Sequence, residues 1–159
     1  MIRKTALAFA LSALAFPAWA SDIMVMDSYA RSASANATTG AAFLVIGNHG
    51  ATDDRLIGVT SPAAKRVELH THQEDANGVM KMLHVKEGFE LPAGGELAMQ
   101  RGGDHVMFMG LNDAFEQGEM IPLKLEFEKA GVIEIEVPVD LERKAGHGHS
   151  QSHSHGMSE

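Results

Sequence analysis

Short runs of alternating apolar and polar residues, separated by turn-forming residues, constrain the fold of this chain most strongly. Successive side chains of a β-strand point to opposite faces, so a run with a period of two predicts a strand with one buried face. Little helical periodicity competes with these runs. Nine strands are predicted, over residues 23–27, 42–47, 56–61, 66–72, 79–85, 96–100, 105–111, 121–128 and 132–137. Because Gly, Pro, Asn and Asp punctuate them, the pattern favours an all-β fold, either an antiparallel sandwich or a Greek-key barrel.

Both ends of the chain depart from this pattern. Residues 1–20 combine Arg3 and Lys4 with an apolar stretch and a final Ala-Trp-Ala, which is typical of a signal peptide cleaved after Ala20. Residues 144–159 have no apolar periodicity and are rich in His, Ser and Gly, which predicts a disordered tail. We therefore expect one exported domain, residues 21–143, without a membrane span after cleavage.

Composition excludes several classes of function. Without Arg3 and Lys4 the chain has eleven basic and twenty-one acidic residues, so its surface repels nucleic acid. It has no cysteine, which excludes disulfides, thiol nucleophiles, zinc knuckles and blue-copper sites. Its carboxylates are scattered and its serines lack a nucleophile-elbow pattern, so we expect no enzymatic activity. The unusual feature of the amino-acid composition is its ten methionines and nine histidines.

Strand parity separates many of these histidines and methionines from the core positions. In KRVELHTH, Val67 and Leu69 suit a core, which leaves Glu68, His70 and His72 on the opposite face. In HVMFMG, the core positions are Val106 and Phe108, and the opposite face carries His105, Met107 and Met109. In VMKMLH, Met80, Met82 and His84 share one parity. Three segments can therefore offer imidazole or thioether groups away from the core.

Thioether sulfur and neutral imidazole are the donors that a soft cation such as Cu(I) accepts. Thioethers also survive in compartments where a thiol would be oxidised. A methionine on an apolar strand is more often a gap-filling core residue, so Met80, Met99 or Met109 alone is a weak candidate. His105 and Met107 form the stronger pair because they share a face. Asp104 is either an acceptor that orients His105 or a turn residue after Gly102 and Gly103.

The C-terminal segment is a separate candidate. It carries donors suited to Cu(II), nickel or zinc, with one softer sulfur, at His147, His149, His153, His155 and Met157. The alternative is an extension that is only solvated or that binds metals nonspecifically.

Three stretches taken together, GAAFLVIGNHGATDDRLIGVTSPAAKRVELHTH, GVMKM and ELPAGGELAMQRGGDHVMFMGL, resemble the periplasmic PCuAC-type copper chaperones over about residues 23–139. The resemblance implies a cupredoxin-like sandwich that binds Cu(I) through two histidines and two methionines. The matching residues are His70, Met82, His105 and Met107, and both long intervals, of eleven and twenty-two residues, exceed the family pattern by one. Spacing therefore leaves His72 as an alternate for His70, and Met80 as an alternate for Met82.

The same resemblance implies a periplasmic protein that delivers copper to the CuA subunit of cytochrome c oxidase, alongside a thiol-containing assembly chaperone. We expect a monomer. The principal alternative is a periplasmic copper buffer or resistance protein in which the tail binds most of the metal. An exported enzyme or electron-transfer protein, and an adhesion module, are weaker alternatives because neither explains the His/Met face.

Overall fold

The computed structural model describes residues 22–144 and confirms the expected all-β fold. Within that range it has ten strands: β1 (Ile23–Ser32), β2 (Thr39–Asn48), β3 (Asp54–Thr60), β4 (Ala64–Glu74), β5 (Met80–His84), β6 (Phe89–Leu91), β7 (Glu96–Ala98), β8 (His105–Leu111), β9 (Met120–Phe127) and β10 (Gly131–Pro138). Nine of these overlap the predicted strands. The additional strand, β6, is only three residues long, which is too short for an alternation pattern to reveal it.

The strands form two antiparallel sheets. One has the order β1-β2-β8-β4-β5, with β7 also paired to β2, and the other has the order β10-β9-β3-β6. Strands β2 and β8 are neighbours although more than fifty residues separate them along the chain. Long connections of this kind are typical of sandwiches in which strands cross between sheets. The predicted signal peptide, residues 1–20, and residues 145–159 of the predicted tail lie outside the described residues.

Strand parity correctly predicts which residues form the core between the sheets. In β9, Ile121, Leu123, Leu125 and Phe127 are buried and the residues between them are exposed. In β8, Val106 and Phe108 are completely buried. Burial of these apolar side chains is the main stabilising contribution, because each fully buried one contributes about 1.5–3 kcal/mol relative to exposure. The core fixes β8 in place and thereby turns its alternate residues to the outer face of the sheet.

Asp54 joins the start of β3 to the turn between β9 and β10. Its carboxylate accepts backbone N–H bonds from Arg55 (2.7 Å), Lys129 (2.9 Å) and Ala130 (2.9 Å). Burial alone would raise the pKa of Asp54, but these N–H groups outweigh burial and lower the pKa below its ordinary value. The carboxylate therefore stabilises the fold above about pH 4, and this stability is lost as the pH falls through the depressed pKa.

We expect Asp54→Asn to lower the free energy of unfolding by about 1–3 kcal/mol at pH 7, because an amide cannot accept all three bonds. Urea unfolding at pH 7 and near pH 3 measures the difference, which should shrink at the lower pH. Asp113→Asn, at an exposed carboxylate, controls for the change in charge. An equal loss for Asp54→Asn at both pH values would contradict the assignment.

Candidate metal centre

The candidate ligands lie on the outer face of the larger sheet, where three neighbouring strands bring them together. His70 of β4 is directly opposite His105 of β8 and, on its other side, opposite His84 of β5. His72 of β4 is directly opposite Met82 of β5. Residues directly opposite in an antiparallel pair have Cβ atoms about 4.5–5.5 Å apart, so strand pairing makes these side chains neighbours. Segments that are distant in sequence thus meet on one face.

His105 is the central residue of this group. Its side chain is almost completely buried, with its ring centroid 6.1 Å from that of Phe43, 6.0 Å from His70 and 5.0 Å from His72. Its Nδ1 lies 3.0 Å from the carbonyl oxygen of Gly103. Only a protonated Nδ1 can donate to a carbonyl, so this bond assigns the proton to Nδ1 and leaves the Nε2 lone pair available. Metal-binding histidines are commonly oriented in this way.

The pKa of His105 is lowered from its ordinary value mainly by burial, and the nearby rings of His72 and His70 lower it further. The bond to Gly103 opposes these effects without cancelling them. His105 is therefore a neutral imidazole at pH 7, the form in which it can donate a lone pair to a metal ion. The Gly103 carbonyl is the hydrogen-bond acceptor that orients the His105 ring. The sequence had suggested Asp104 for this role, and the structure gives the role to Gly103.

A cleft of ≈ 350 Å³ opens beside His105. Four of the candidate residues line it: His72, Met82, His105 and Met107. The remaining wall comes from β1, β2 and the turn before β8, and is formed by Arg31, Ser32, Ala33, Thr39, Gly40, Ala41, Phe43, Arg101 and Gly102. Two imidazoles and two thioethers from three strands therefore face one opening, and the Met82 side of it is exposed to solvent.

His70 is outside the lining of the cleft but is held firmly beside His105. Its Nε2 lies 2.9 Å from a carboxylate oxygen of Glu68, and His84 Nδ1 lies 3.7 Å from the same oxygen. The bond with His70 is the main reason why the pKa of Glu68 lies below its ordinary value. With Nε2 engaged, the Nδ1 of His70 is buried and has no hydrogen-bond partner, and the same is true of the Nδ1 of His72. Buried ring nitrogens without partners are uncommon and are consistent with a place for a metal ion.

The other methionine candidates lie away from the cleft. Met80 is opposite Glu74 in the β4–β5 pair, and its side chain is exposed. Met109 accepts a contact from the guanidinium of Arg66, whose Nη2 lies 3.3 Å from the sulfur. Met99 is buried in the core. The tail candidates His147, His149, His153, His155 and Met157 lie outside the described residues.

Three contributors to this region were missed from the sequence. Glu68 was counted only among the scattered carboxylates, yet its side chain is only 20% exposed and it bonds to His70. Its parity with His70 was the signal that could have found it. Arg31 and Arg101 had no such signal, because their segments meet the cleft only through the pairing of the sheet. Among residues 22–144, no group of three or more His, Asp or Glu side chains is arranged to hold a metal ion.

No helix within residues 22–144 has the length and apolar character needed to cross a bilayer.

Comparison with known proteins adds independent findings. Residues 23–139 match the family model "Putative lipoprotein LpqE-like". The "Putative lipoprotein Lxx21020" of Leifsonia xyli subsp. xyli (strain CTCB07) is 35% identical over 108 residues, which cover 68% of this chain and 63% of that protein. This chain therefore spans less than two thirds of that relative's length.

The solved structures that are similar to this one include two with copper bound. The "Copper-bound PCuAC domain from PmoF2" is 24% identical with a TM-score of 0.62, over 76% of this chain and 94% of that domain. The structure of "CuI-DR1885 from Deinococcus Radiodurans" is 25% identical with a TM-score of 0.58, over 82% of this chain and 83% of that protein. Both likenesses confirm the cupredoxin-like fold.

Proposed function

We propose that this chain, which belongs to the LpqE-like family and has the fold of PCuAC domains, is an exported copper chaperone that carries one Cu(I) ion in its His/Met cleft. The observation that carries the proposal is the convergence of Met82, His105 and Met107 on one cleft in a chain without cysteine. Neutral imidazole and thioether groups bind Cu(I) without adding charge. The PCuAC domain from PmoF2 and the DR1885 protein, whose folds are similar, were both solved with copper bound, which supports the same cargo.

The fourth ligand in this proposal is His70, with His72 as an exchangeable donor. His70 has one ring nitrogen bonded to Glu68 and the other free, which is the carboxylate–histidine arrangement that orients many metal ligands. His72 has no such support, but it faces Met82 across the β4–β5 pair and lines the open side of the cleft. An ion entering from solvent would therefore meet Met82 and His72 before His105.

The acceptor that we propose is the CuA centre of cytochrome c oxidase, reached in the periplasm with the help of a thiol-containing assembly chaperone. An exposed thioether at the mouth of the site suits a carrier, because a ligand at the surface can be exchanged for one from an acceptor. Thiolates are strong soft ligands, so transfer from a His/Met site to a cysteine-rich centre is downhill in affinity. The tail histidines are proposed as a weaker site for Cu(II).

Competitive titration with a calibrated Cu(I) chelator under reducing conditions tests this function. We expect one tightly bound Cu(I) per chain, and we expect a variant ending at Lys144 to retain it, since the cleft lies wholly within residues 22–144. Mixing the loaded protein with a copper-free CuA domain should then transfer the metal. If removing the tail abolished nearly all Cu(I) binding, the protein would be a buffer and the cleft would not be its copper site.

A further inference from the structure

Two of the five arginines within residues 22–144 form no ion pair with a described residue. The other three have a carboxylate oxygen at 2.9, 3.4 and 2.6 Å, and they are Arg55, Arg66 and Arg143. The two without a carboxylate are Arg31, in β1, and Arg101, in the turn before β8. Both of them line the candidate metal cleft. The unpaired positive charges of the described domain are therefore concentrated at the site where copper is proposed to bind.

A shared backbone oxygen holds these two guanidinium groups side by side. The carbonyl of Arg143 accepts a hydrogen bond from Nη2 of Arg101, at 2.7 Å, and another from Nη1 of Arg31, at 3.4 Å. Arg143 is itself anchored, because its N–H donates to the Asp140 carboxylate at 2.9 Å and its guanidinium pairs with both carboxylate oxygens of Asp27. A neutral carbonyl positions the two groups but does not neutralise them. We call Arg31 and Arg101 the arginine pair.

The surroundings of the arginine pair favour an anion as its ligand. The Nε of Arg101 is buried without a hydrogen-bond partner, so this guanidinium is partly removed from water, where its charge acts more strongly. The chain as a whole is acidic, with a formal net charge of −8, so a positive wall is a local feature of the cleft. Guanidinium groups present several N–H donors at once and bind anions with defined geometry.

Copper by itself does not explain the arginine pair, because positive charges disfavour a cation beside them. No Asp or Glu is among the described residues that line the cleft, and its imidazole and thioether donors are neutral. A ligand that neutralises the arginines and also binds Cu(I) must be an anion with a soft donor atom. A thiolate meets both requirements, whereas a carboxylate is a hard ligand. The chain has no cysteine, so the thiolate must come from another molecule.

We propose that the arginine pair is an anion subsite of the copper cleft, which holds the thiolate of a partner protein's cysteine beside the Cu(I) ion during transfer. This inference rests on the proposed function. The incoming thiol gives its proton to solvent, its sulfur forms a bond to copper, and the bond from copper to the exposed thioether of Met82 breaks. Copper stays Cu(I) throughout, so the step needs no oxidant or reductant. Arg31 and Arg101 promote the step because a neighbouring positive charge stabilises the thiolate over the thiol.

The rate at which thiols remove copper from the full-length, Cu(I)-loaded protein tests the proposal. The probe is dithiothreitol, a neutral dithiol, so any effect of the arginines acts on its thiolate. Neocuproine, a neutral Cu(I) chelator without a thiol, gives the reference rate for each variant. The variants are Arg31→Gln, Arg101→Gln and Arg101→Lys. Arg55→Gln is the matched control, because it removes one arginine from the other sheet.

The measured quantity is the dithiothreitol rate divided by the neocuproine rate, which cancels any change in copper affinity. We expect Arg31→Gln and Arg101→Gln each to lower this ratio about tenfold at pH 7, since one unit of thiol pKa changes the thiolate fraction about tenfold below that pKa. Arg101→Lys should keep most of the wild-type ratio because it retains the charge. Arg55→Gln should leave the ratio unchanged.

Several results would overturn the subsite and leave the Cu(I) site intact. They are an unchanged ratio in both Gln variants at the arginine pair, an equal fall in Arg55→Gln, and a ratio for Arg101→Lys as low as that for Arg101→Gln. Acetate that lowers the wild-type ratio as much as Arg101→Gln does, at constant ionic strength, would assign the pair to a carboxylate instead. A wild-type protein that takes up no Cu(I) in its cleft would refute the proposed function, and the subsite with it.

Discussion

His105→Ala should lower the affinity of the protein for Cu(I) by about 100-fold or more. Changes to residues that merely orient a metal ligand typically cost 10–100-fold, and this substitution removes the ligand itself. His105 also lies between the other candidate imidazoles: its ring centroid is 5.0 Å from that of His72 and 6.0 Å from that of His70. Chelator competition measures the loss. His49→Ala, at an exposed histidine near the far end of β2, is the matched control and should bind as the wild type does.

Because His105 is buried, its replacement can also disturb the fold, so a second substitution is needed. Met107→Leu keeps the volume of a half-buried side chain and removes only the sulfur, a swap that usually costs less than about 1.5 kcal/mol of stability. It should still weaken Cu(I) binding at least about tenfold. If the Met107→Leu protein folded and bound Cu(I) with wild-type affinity, the Met107 sulfur would not be a copper ligand.

The same titration shows which of the two histidines of β4 contributes more to Cu(I) affinity. If His70 is the resident ligand and His72 the exchangeable one, His70→Ala should cost more affinity than His72→Ala. Glu68→Gln should weaken binding about 10–100-fold through the ring of His70, since an amide holds the imidazole less firmly than a carboxylate. The reverse ranking would assign the fourth position to His72, the histidine that lines the cleft.

Gly88→Ala should destabilise the fold by more than about 3 kcal/mol, the largest stability effect that we expect from adding one methyl group. Gly88 closes the turn after Val85 with a φ of 72°, in the left-handed region. A Cβ there would lie 2.1 Å from the carbonyl oxygen of Leu56 and 2.9 Å from the Cα of Ile57. These are backbone atoms of β3 next to a completely buried side chain, so they cannot move aside without disturbing the core.

Gly94→Ala is the matched control. Gly94 has a φ of 67°, but an added Cβ would meet nothing within 4 Å. It should therefore cost only the conformational penalty of about 1–2 kcal/mol. Chemical unfolding of both variants separates the two contributions. Equal losses at the two positions would show that the collision with β3 is relieved, and would contradict the rigidity assumed for that strand.

Local patterns predicted much of the fold because strand formation and burial follow from the alternation of residues along one segment. Alternation correctly predicted which residues share the face opposite the core positions: His105 and Met107 in β8, and His70 and His72 in β4. The three-residue strand β6 escaped detection because it contains less than two full alternations. The tight partnership between Glu68 and His70 was also missed, since two residues on one face have no fixed distance until their side chains pack.

The sequence by itself determined the type of donor and the face on which each one lies: a cysteine-free chain with His and Met residues in phase on three strands. Only the tertiary structure decided which of them are neighbours. The register of β4 against β8 and β5 places His70 beside His105 and His72 beside Met82, and the same sheet brings Arg31 and Arg101 to the carbonyl of Arg143. The physical reason is that pairing between distant segments is set by the packing of two sheets around a common core, which no local preference of the chain encodes.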